Sequence, residues 1–340
     1  MAEEADVRDR ATEHRDTDPA TRDPRQLASV VITTCDRPDV VERALSSALA
    51  QTHDPMEVIV VDDGARDRID PSDIERASAA SSKDVRLITT QGREGANRAR
   101  NLGLAAARGE WITFLDDDDE LLPDMVARSL QTASESDLPS PVAVVSGIRE
   151  YRDGNEALCR LPHSRARGGA YRVDAGDDER VNLAAFNTLV APTAVMRRIG
   201  GFDEDIAAAM HTDLFIRVNA DCSIQALPAI TYHMHHHSGS RLSRHALERA
   251  EGMLHTWRKH RTTYHNHRRT EARYLANIGI HFLQGGDRCR SLLYCALAVI
   301  RDPIRPRVLK NMMLAIVGRR AYHVLSSCRR AVSSTRAPRP

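Results

Sequence analysis

The chain has 340 residues, which is enough for a substantial core and suits one large α/β domain with an appendage. Its 48 basic and 47 acidic residues leave a formal net charge of +1, and aromatic residues make up only 4% of the chain. These values argue against a dedicated nucleic-acid-binding protein, which usually has a basic excess and aromatic rings that stack on bases.

Six cysteines are scattered without a CxxC pair, a pattern typical of reduced thiols in a cytosolic protein. The N-terminus is charged and lacks the apolar core of a signal peptide. No uninterrupted apolar run reaches the roughly 18 residues that a membrane-spanning helix requires. We therefore expect a cytoplasmic protein, either soluble or peripheral at the cytoplasmic face of the membrane.

Residues 1–26 are charged and almost devoid of apolar side chains, which predicts a disordered tail. From Ala28 onward, buried strands alternate with helices that have one apolar face, and this alternation predicts an open, mostly parallel α/β sheet. The predicted strands are Ser29–Thr34, Glu57–Val61, Val85–Thr89, Glu110–Leu115 and Val142–Ile148, and the predicted helices include Val40–Gln51, Ala96–Ala107 and Met125–Thr132.

The second half of the chain is less regular. The sequence predicts an irregular insertion over residues 151–185, a strand within Asn187–Met196 and a helix over Leu214–Val218. The chain beyond residue 246 is predicted to be helical, and it becomes strongly basic over residues 301–340. The predicted organisation is a tail over residues 1–26, an α/β domain over 27–245 and a helical, basic region over 246–340.

Polar residues lie at the carboxyl ends of three of the predicted strands: Thr33 and Thr34, Asp62 and Asp63, and the acidic run Asp116–Asp119. In open α/β sheets, ligands bind at the carboxyl ends of the strands. Four adjacent carboxylates repel one another unless a cation neutralises them, and oxygen ligands suit Mg²⁺ or Mn²⁺. In an extended segment Asp116 and Asp118 would share one face. A solvated acidic turn is the alternative.

Four segments resemble, in order and spacing, the inverting family 2 glycosyltransferases with the GT-A fold, over residues 28–245. They are SVVITTCDRP, EVIVVDDG, ANRARNLGLAAARGEWITFLDDDDELLPD, and GGFDEDI followed by DLFIRV. The resemblance implies an open sheet flanked by helices, with a helical appendage. It also implies transfer of a sugar from a nucleotide-diphosphate donor, by default a UDP-sugar, to a saccharide or polyprenyl-phosphate-type lipid-linked acceptor in the assembly of cell-surface glycans or glycoproteins.

The resemblance also implies roles for individual residues. Thr33 and Asp63, with Asp62 beside them, correspond to positions that contact the nucleotide base, and Arg100 and Asn101 would lie close to the nucleotide. Asp116 and Asp118 match the two acids of the DxD motif, and Asp118 is the expected direct ligand of Mn²⁺ or Mg²⁺. Asp62 or Asp63 could instead form a turn before Gly64, and Arg100 could be a solvated helix residue.

An inverting transfer needs a general base near the acceptor hydroxyl. In the family this base is usually the Asp of a Glu-Asp pair, but here that pair aligns with Met210-His211, and Asp213 follows two residues later. We favour Asp213 as the base, after a shift of one helical turn, over His211, whose imidazole titrates near neutral pH. A chain without the usual base would be weak or inactive.

Two further segments carry open alternatives. His233, His235, His236 and His237 precede a Ser-Gly-Ser sequence, and His237 is predicted to contact the diphosphate or the metal; a polar loop on the acceptor side is the alternative. The apolar runs Leu292–Ile300 and Met312–Val317 are flanked by Arg, which suits a helix lying on an anionic membrane. Packing on the catalytic domain or in a dimer would fit equally well.

Competing functions make different demands on the sequence. A sugar-phosphate nucleotidyltransferase needs a Gly-rich phosphate loop after the first strand, where this chain has TTCDRPD, and a dinucleotide-dependent oxidoreductase needs GxGxxG. A non-catalytic sugar-nucleotide-binding or scaffold protein remains the alternative, because Met210-His211 departs from the catalytic pattern.

Overall fold

The computed structural model describes residues 27–152, 154–169, 171, 186–236 and 246–320. Within them, nine strands form one sheet: β1 Ala28–Thr34, β2 Met56–Asp62, β3 Asp84–Thr89, β4 Trp111–Asp116, β5 Glu120–Leu121, β6 Val142–Arg152, β7 Asn155–Arg160, β8 Leu189–Pro192 and β9 Ser223–His236. The helices are α1 Pro38–Leu49, α2 Pro71–Ala79, α3 Ala96–Ala106, α4 Met125–Ser134, α5 Thr193–Arg198, α6 His211–Asp221, α7 Ala246–Lys259, α8 Arg261–His265, α9 Arg268–Gly285, α10 Arg288–Arg301 and α11 Pro306–Val317.

The first half of the sheet is parallel, in the order β3-β2-β1-β4, which confirms the predicted alternation of strands and helices. The register sets Thr34 of β1 opposite Asp62 of β2, and Thr33 opposite Asp116 of β4. Three polar strand ends therefore meet at one edge, as the sequence predicts.

The second half of the sheet is mixed, whereas the sequence predicts a mostly parallel sheet. β8 pairs antiparallel with β4 and β6, β9 runs parallel to β6, and the short β5 pairs antiparallel with β9. The prediction of an irregular insertion from residue 151 is wrong at its start, because β6 continues to Arg152 and forms a hairpin with β7. The strand predicted over Asn187–Met196 is confined to β8, and α5 begins directly after it.

Alternation along the buried strands builds a core on each face of the sheet. Val31 points to the face covered by α3, α5 and α6, while Val30 and Ile32 point to the face covered by α1 and α4. All three side chains are fully buried. A strand covered on both faces needs apolar residues at every position, and this explains the unbroken β-branched run.

A third core joins the C-terminal helices α7–α11 to one another, and Ile216 of α6 belongs to it. Glu271 is fully buried in this region, where it accepts a hydrogen bond from Trp257 Nε1 (3.1 Å) and pairs with Arg301 (3.1 Å). These helices confirm the helical prediction over residues 246–320. The predicted tail (1–26) and residues 321–340 lie outside the described residues. In the part of the chain that is described, no helix combines the length and apolar character needed to cross a membrane.

Gly103 allows α3 to pack directly on β1. A Cβ atom at this position would overlap Cγ1 of Val31 and lie 3.1 Å from its Cγ2. Because Val31 is branched and fully buried, it has little room to move. We predict that Gly103→Ala lowers the free energy of unfolding by about 1–3 kcal/mol, measured by urea denaturation. The double variant Gly103→Ala with Val31→Ala should lose less free energy of unfolding than the two single variants lose in sum. Strictly additive losses would contradict this account.

Candidate active site

The acidic run Asp116–Asp119 begins at the last residue of β4 and continues as a turn. The backbone N–H of Asp119 donates to the carbonyl of Asp116 (3.2 Å), which reverses the chain before β5. The expectation that Asp116 and Asp118 share a face of an extended segment is therefore wrong in its geometry. In a turn, successive side chains diverge, and the four acids are held by partners from different parts of the chain, although Asp117 and Asp118 share Arg37.

The first acid is held by an arginine from the adjacent helix. Arg100 of α3 donates to Asp116 Oδ1 (2.8 Å) and to Asn97 Oδ1 (3.0 Å). Its guanidinium lies 4.4 Å from the ring centroid of Phe186 and 5.5 Å from that of Phe202. Arg100 is 5% exposed, and its Nε–H has no hydrogen-bond partner in the described part of the chain. The solvated alternative for Arg100 is therefore excluded.

The second and third acids are held by Arg37, which sequence reasoning missed. Arg37 pairs with Asp117 and lies 3.4 Å from Asp118 Oδ2, while the hydroxyl of Thr34 donates to Asp117 Oδ2 (2.6 Å). The available signal was position, because Arg37 lies three residues after the end of β1, and the end of β1 is next to the end of β4.

The fourth acid faces β9. Asp119 accepts hydrogen bonds from the hydroxyl of Tyr232 and from the backbone N–H of His235, both at 2.8 Å. Tyr232 in turn accepts from Asn187 Nδ2 (2.9 Å). The turn is thus fixed from both halves of the sheet.

Burial and mutual repulsion divide these acids into two kinds. Burial, together with the smaller effects of the charges of Asp118 and Asp116, raises the pKa of Asp117 to about 6 against the opposing effects of Arg37 and Thr34. Burial, followed by the charges of Asp116 and Asp118, also holds the pKa of Asp119 well above its usual range. Burial acts on Asp116 in the same direction, but the charge and hydrogen bond of Arg100 outweigh it and keep that pKa low.

The acids at the end of β2 are engaged with the backbone of neighbouring loops. Asp62 accepts from the N–H groups of Gly64 (2.8 Å) and Ile69 (2.9 Å). Asp63 accepts from Thr90 Oγ1 (2.6 Å) and from the N–H groups of residues 94 and 95, both at 2.8 Å. Both side chains are buried, so they shape the rim of the site. Thr33, half-buried, lies between β2 and β4 at the same edge.

The side chain of Asn101 is hydrogen-bonded to the loop that follows α5. Its Nδ2 donates to the carbonyl of Phe202 (2.9 Å) and to Glu204 Oε1 (2.8 Å), and its Oδ1 accepts from the N–H of Phe202 (2.8 Å). The structure therefore brings Thr33, Arg100, Asp116 and Asp118 to one edge, whereas the amide of Asn101 holds the loop that follows α5.

The two candidate bases have contrasting surroundings. Asp213 is 1% exposed and receives hydrogen bonds from Arg217 (2.9 Å) and His260 (2.8 Å), with Lys259 Nζ 3.0 Å away. Although burial opposes the shift, these partners hold the pKa of Asp213 far below its usual range. A carboxylate with such a low pKa is a poor proton acceptor near neutral pH.

His211 is the first residue of α6 and is only partly buried. Its ring lies 5.1 Å from that of Phe186, and the N–H of Phe186 is 3.4 Å from its Nδ1. The charge of His211 is close enough to Asp116 to lower the pKa of that carboxyl. His211 therefore borders the acidic run, whereas Asp213 ties α6 to the C-terminal helices. This geometry favours His211 over Asp213.

The histidine segment is strand over its described part. His233, His235 and His236 belong to β9, so the polar-loop alternative does not hold for them, and His237 lies outside the described residues. His235 Nε2 is 3.1 Å from Glu120 Oε2, and His236 Nε2 is 3.0 Å from Glu150 Oε2. Among the residues that the structure describes, no group of three or more His, Cys, Asp or Glu side chains is arranged to hold a metal ion.

A cavity of about 600 Å³ lies between the loop after α5 and helix α7. Its lining includes Asp205, Glu251, His255 and Lys259, and none of the four acids of the run. Lys259 also contacts Asp213, so this cavity borders the ion pairs of α6. It is separate from the acidic run.

The raised pKa of Asp117 predicts a pH dependence of stability. Because the pKa of Asp117 is higher in the folded state than in the unfolded state, this side chain stabilises the folded protein below about pH 4. The stabilisation is lost as the pH rises through about 6. Asp117→Asn removes the ionisation, so the variant should gain up to about 3 kcal/mol relative to the unmodified protein between pH 4 and pH 7. Urea denaturation at several pH values measures this gain. Asp124→Asn, at an exposed acid nearby, is the control; parallel pH curves for Asp117→Asn and the unmodified protein would contradict the prediction.

Comparisons with known proteins fit this geometry. Residues 29–191 match the model of the family described as Glycosyl transferase family 2. The succinoglycan biosynthesis protein ExoO of Rhizobium meliloti is 38% identical over 131 residues, which are 36% of each chain. The uncharacterized glycosyltransferase YibD of Escherichia coli is 30% identical over 227 residues, 64% of each chain. A GalNAc(5)-diNAcBac-PP-undecaprenol beta-1,3-glucosyltransferase of Campylobacter jejuni is 34% identical over 108 residues, 32% of this chain and 34% of its own.

The matched stretches therefore span about one third to two thirds of the length of these curated relatives. Among solved structures, S. aureus TarS 1–349 in complex with UDP-GlcNAc has a similar fold, with a TM-score of 0.52 and 14% identity. The similarity covers 87% of this chain and 91% of that one. The chain thus has the GT-A fold, and its residues 29–191 match the glycosyltransferase family 2 model.

Proposed function

We propose that the chain is an inverting glycosyltransferase that moves a sugar from a nucleoside-diphosphate sugar to a saccharide or lipid-linked acceptor. The observation that carries this proposal is the acidic run at the carboxyl edge of β4, with Arg100 on Asp116 and Arg37 on Asp117. Alternating acidic and basic groups at this edge suit a ligand that carries both phosphate and hydroxyl groups.

The comparisons support a narrower version of the proposal. TarS was crystallised with UDP-GlcNAc, which favours a UDP-sugar as the donor. The names of the relatives refer to succinoglycan biosynthesis and to an undecaprenol-linked glycan, and both favour an acceptor in cell-surface glycan assembly. We propose that Thr33 contacts the nucleotide base, and that Asp62 and Asp63 hold the loops beside it.

We further propose that Asp116 and Asp118 hold Mn²⁺ or Mg²⁺. Carboxylate oxygens are the right kind of ligand. Adjacent carboxylates also repel one another, an effect that adds to burial in raising the pKa values of Asp117 and Asp119 and that a cation would offset. Since the described residues contain no group of three metal-binding side chains, the phosphates of the donor would complete the shell, as is common for Mg²⁺. When bound, the cation would neutralise charge that develops on the departing diphosphate.

We propose His211 as the general base, with Asp213 as the second candidate. The imidazole takes the proton of the acceptor hydroxyl while the hydroxyl oxygen bonds to the anomeric carbon. The bond from that carbon to the diphosphate oxygen breaks at the same time, and the diphosphate keeps the electron pair. The nearby charge of Asp116 would stabilise the imidazolium that forms, while Asp213 keeps α6 anchored.

A non-catalytic sugar-nucleotide-binding protein is the second candidate function, and the Met210-His211 pair at the expected base position is the feature that favours it. Such a protein would bind the donor through the same edge but would release no nucleoside diphosphate.

The donor site predicts thermal stabilisation by one nucleotide. Saturation with UDP, GDP, ADP, CDP or dTDP at about 100 times the dissociation constant adds roughly 2.7 kcal/mol to the free energy of unfolding. With Mn²⁺ or Mg²⁺ present, one of these nucleotides should raise the melting temperature. Asp118→Ala should lose the metal-dependent part of the shift, and Asp124→Ala, an exposed acid outside the run, should retain it. No shift with any nucleotide would overturn the transferase proposal.

The assignment of the base predicts opposite phenotypes for two substitutions. His211→Gln should lower the rate of nucleoside diphosphate release from the preferred donor by about 100-fold or more, with little change in melting temperature. Asp213→Asn leaves its cationic partners without a full counter-charge, so it should lower the free energy of unfolding by about 3 kcal/mol while the folded protein keeps most of its rate. Loss of rate in a stable Asp213→Asn variant, with an active His211→Gln variant, would assign the base to Asp213.

A further inference from the structure

Helix α11 is apolar on two opposite sides. Val308, Leu314 and Ala315 are buried on the side that packs on the other C-terminal helices. The opposite side carries four exposed apolar residues: Leu309 (41% exposed), Met313 (58%), Ile316 (45%) and Val317 (62%). With 100° of rotation per residue, these four positions share one face. A surface helix normally has polar residues there.

Exposed apolar residues also occur on α10 and in the connection between the two helices. Leu293 is 53% exposed, Ile300 69% and Ile304 84%. Of the ten large apolar residues that are exposed in the described part of the chain, seven lie between residues 293 and 317; the other three are Leu158, Leu161 and Leu247. We call these seven the α10–α11 apolar face. Concentrated apolar exposure of this kind marks a site of interaction.

The charged residues of α11 and of the described segment after it are all basic. Asp302 is the last acidic residue of the sequence, and the described residues beyond it include five basic ones: Arg305, Arg307, Lys310, Arg319 and Arg320. Arg305 pairs with Asp302 (2.9 Å), and the other four side chains are exposed. An apolar face bordered by basic side chains is therefore open to a partner that is apolar inside and negatively charged at its surface.

We propose that the α10–α11 apolar face binds the surface of an anionic phospholipid membrane. An interfacial helix sinks its apolar face to the level of the acyl chains, and its basic residues meet the phosphate groups. A second copy of the chain fits less well, because a symmetric contact through this face would bring the same basic residues together. The proposal concerns lipid binding alone, so it stands or fails independently of the proposed transferase activity.

Co-sedimentation of the full-length protein with vesicles tests this proposal. Vesicles of phosphatidylcholine and phosphatidylglycerol in a 3:1 ratio should bind the protein, pure phosphatidylcholine vesicles should bind it at least tenfold more weakly, and added salt should weaken binding. The triple variant Leu309→Ser, Met313→Ser and Ile316→Ser should lose at least tenfold in affinity. The control, Leu158→Ser with Leu161→Ser at exposed positions of the β6–β7 hairpin and the residue after it, should bind normally.

Replacement of basic residues tests the proposed membrane binding independently. Arg307→Gln with Lys310→Gln should weaken binding to the anionic vesicles by about 25-fold, since each basic residue near the surface contributes about fivefold. Arg76→Gln with Arg128→Gln, on α2 and α4, should leave binding unchanged. Circular dichroism confirms that each variant is folded.

Three results would overturn the proposal: no binding to anionic vesicles, equal binding to neutral vesicles, or unchanged binding by the triple Ser variant. Analytical ultracentrifugation without lipid provides a further check. A dimer that the triple Ser variant dissociates would show that a second copy covers this face instead.

Discussion

The structure depends on the side chains that pair with the four adjacent carboxylates at the end of β4. Four consecutive carboxylates emerge from a buried strand into a tight turn, where side chains from three other parts of the chain contact them. Arg100 comes from α3, Arg37 from the residues after β1, and Tyr232 from β9. Since an uncompensated buried charge costs several kcal/mol, the turn fixes the relative positions of these elements. The polar edge is therefore also a structural junction between the parallel and mixed halves of the sheet.

The C-terminal helices contribute to this junction through α6. His211 stands at the start of α6, next to the acidic run, and Asp213 lies two residues further along, where Lys259 and His260 hold it. Ile216, on the same helix, packs into the C-terminal core. One short helix thus connects the candidate base to the helical region. The carboxylate of Asp213, which is buried and has a depressed pKa, therefore anchors α6, although it lies close to the position expected for the base.

The sequence predicts the parallel half of the fold well because its signals are local. β1 and β2 are centred on apolar β-branched runs, α1 and α3 have apolar residues at helical spacing, and parallel pairing brings the polar strand ends to one edge. The mixed half is not predictable in this way. β9 contains Pro228 and ends in histidines, so it has no clear period, and β5 has only two residues.

The partners of individual site residues were harder to predict, because they come from distant parts of the chain. Asn101 binds the backbone of Phe202, 101 positions later, and Asp213 binds His260, 47 positions later. Nothing in the local sequence distinguishes these polar residues from those that face a ligand. The strand pattern of the sequence correctly places the acidic run at the end of β4, but the turn that separates its side chains depends on Arg37, Arg100 and Tyr232 together.

The central claim is that the edge formed by β1, β2 and β4 binds the nucleotide of the donor. Hydrogen–deuterium exchange with and without a mixture of UDP, GDP, ADP, CDP and dTDP, in the presence of Mn²⁺, tests it most directly. The account predicts that slowed exchange concentrates in peptides that contain Thr33, Asp62–Asp63 and Asp116–Asp119. Unchanged exchange in those peptides, or protection confined to the cavity beside α7, would contradict it.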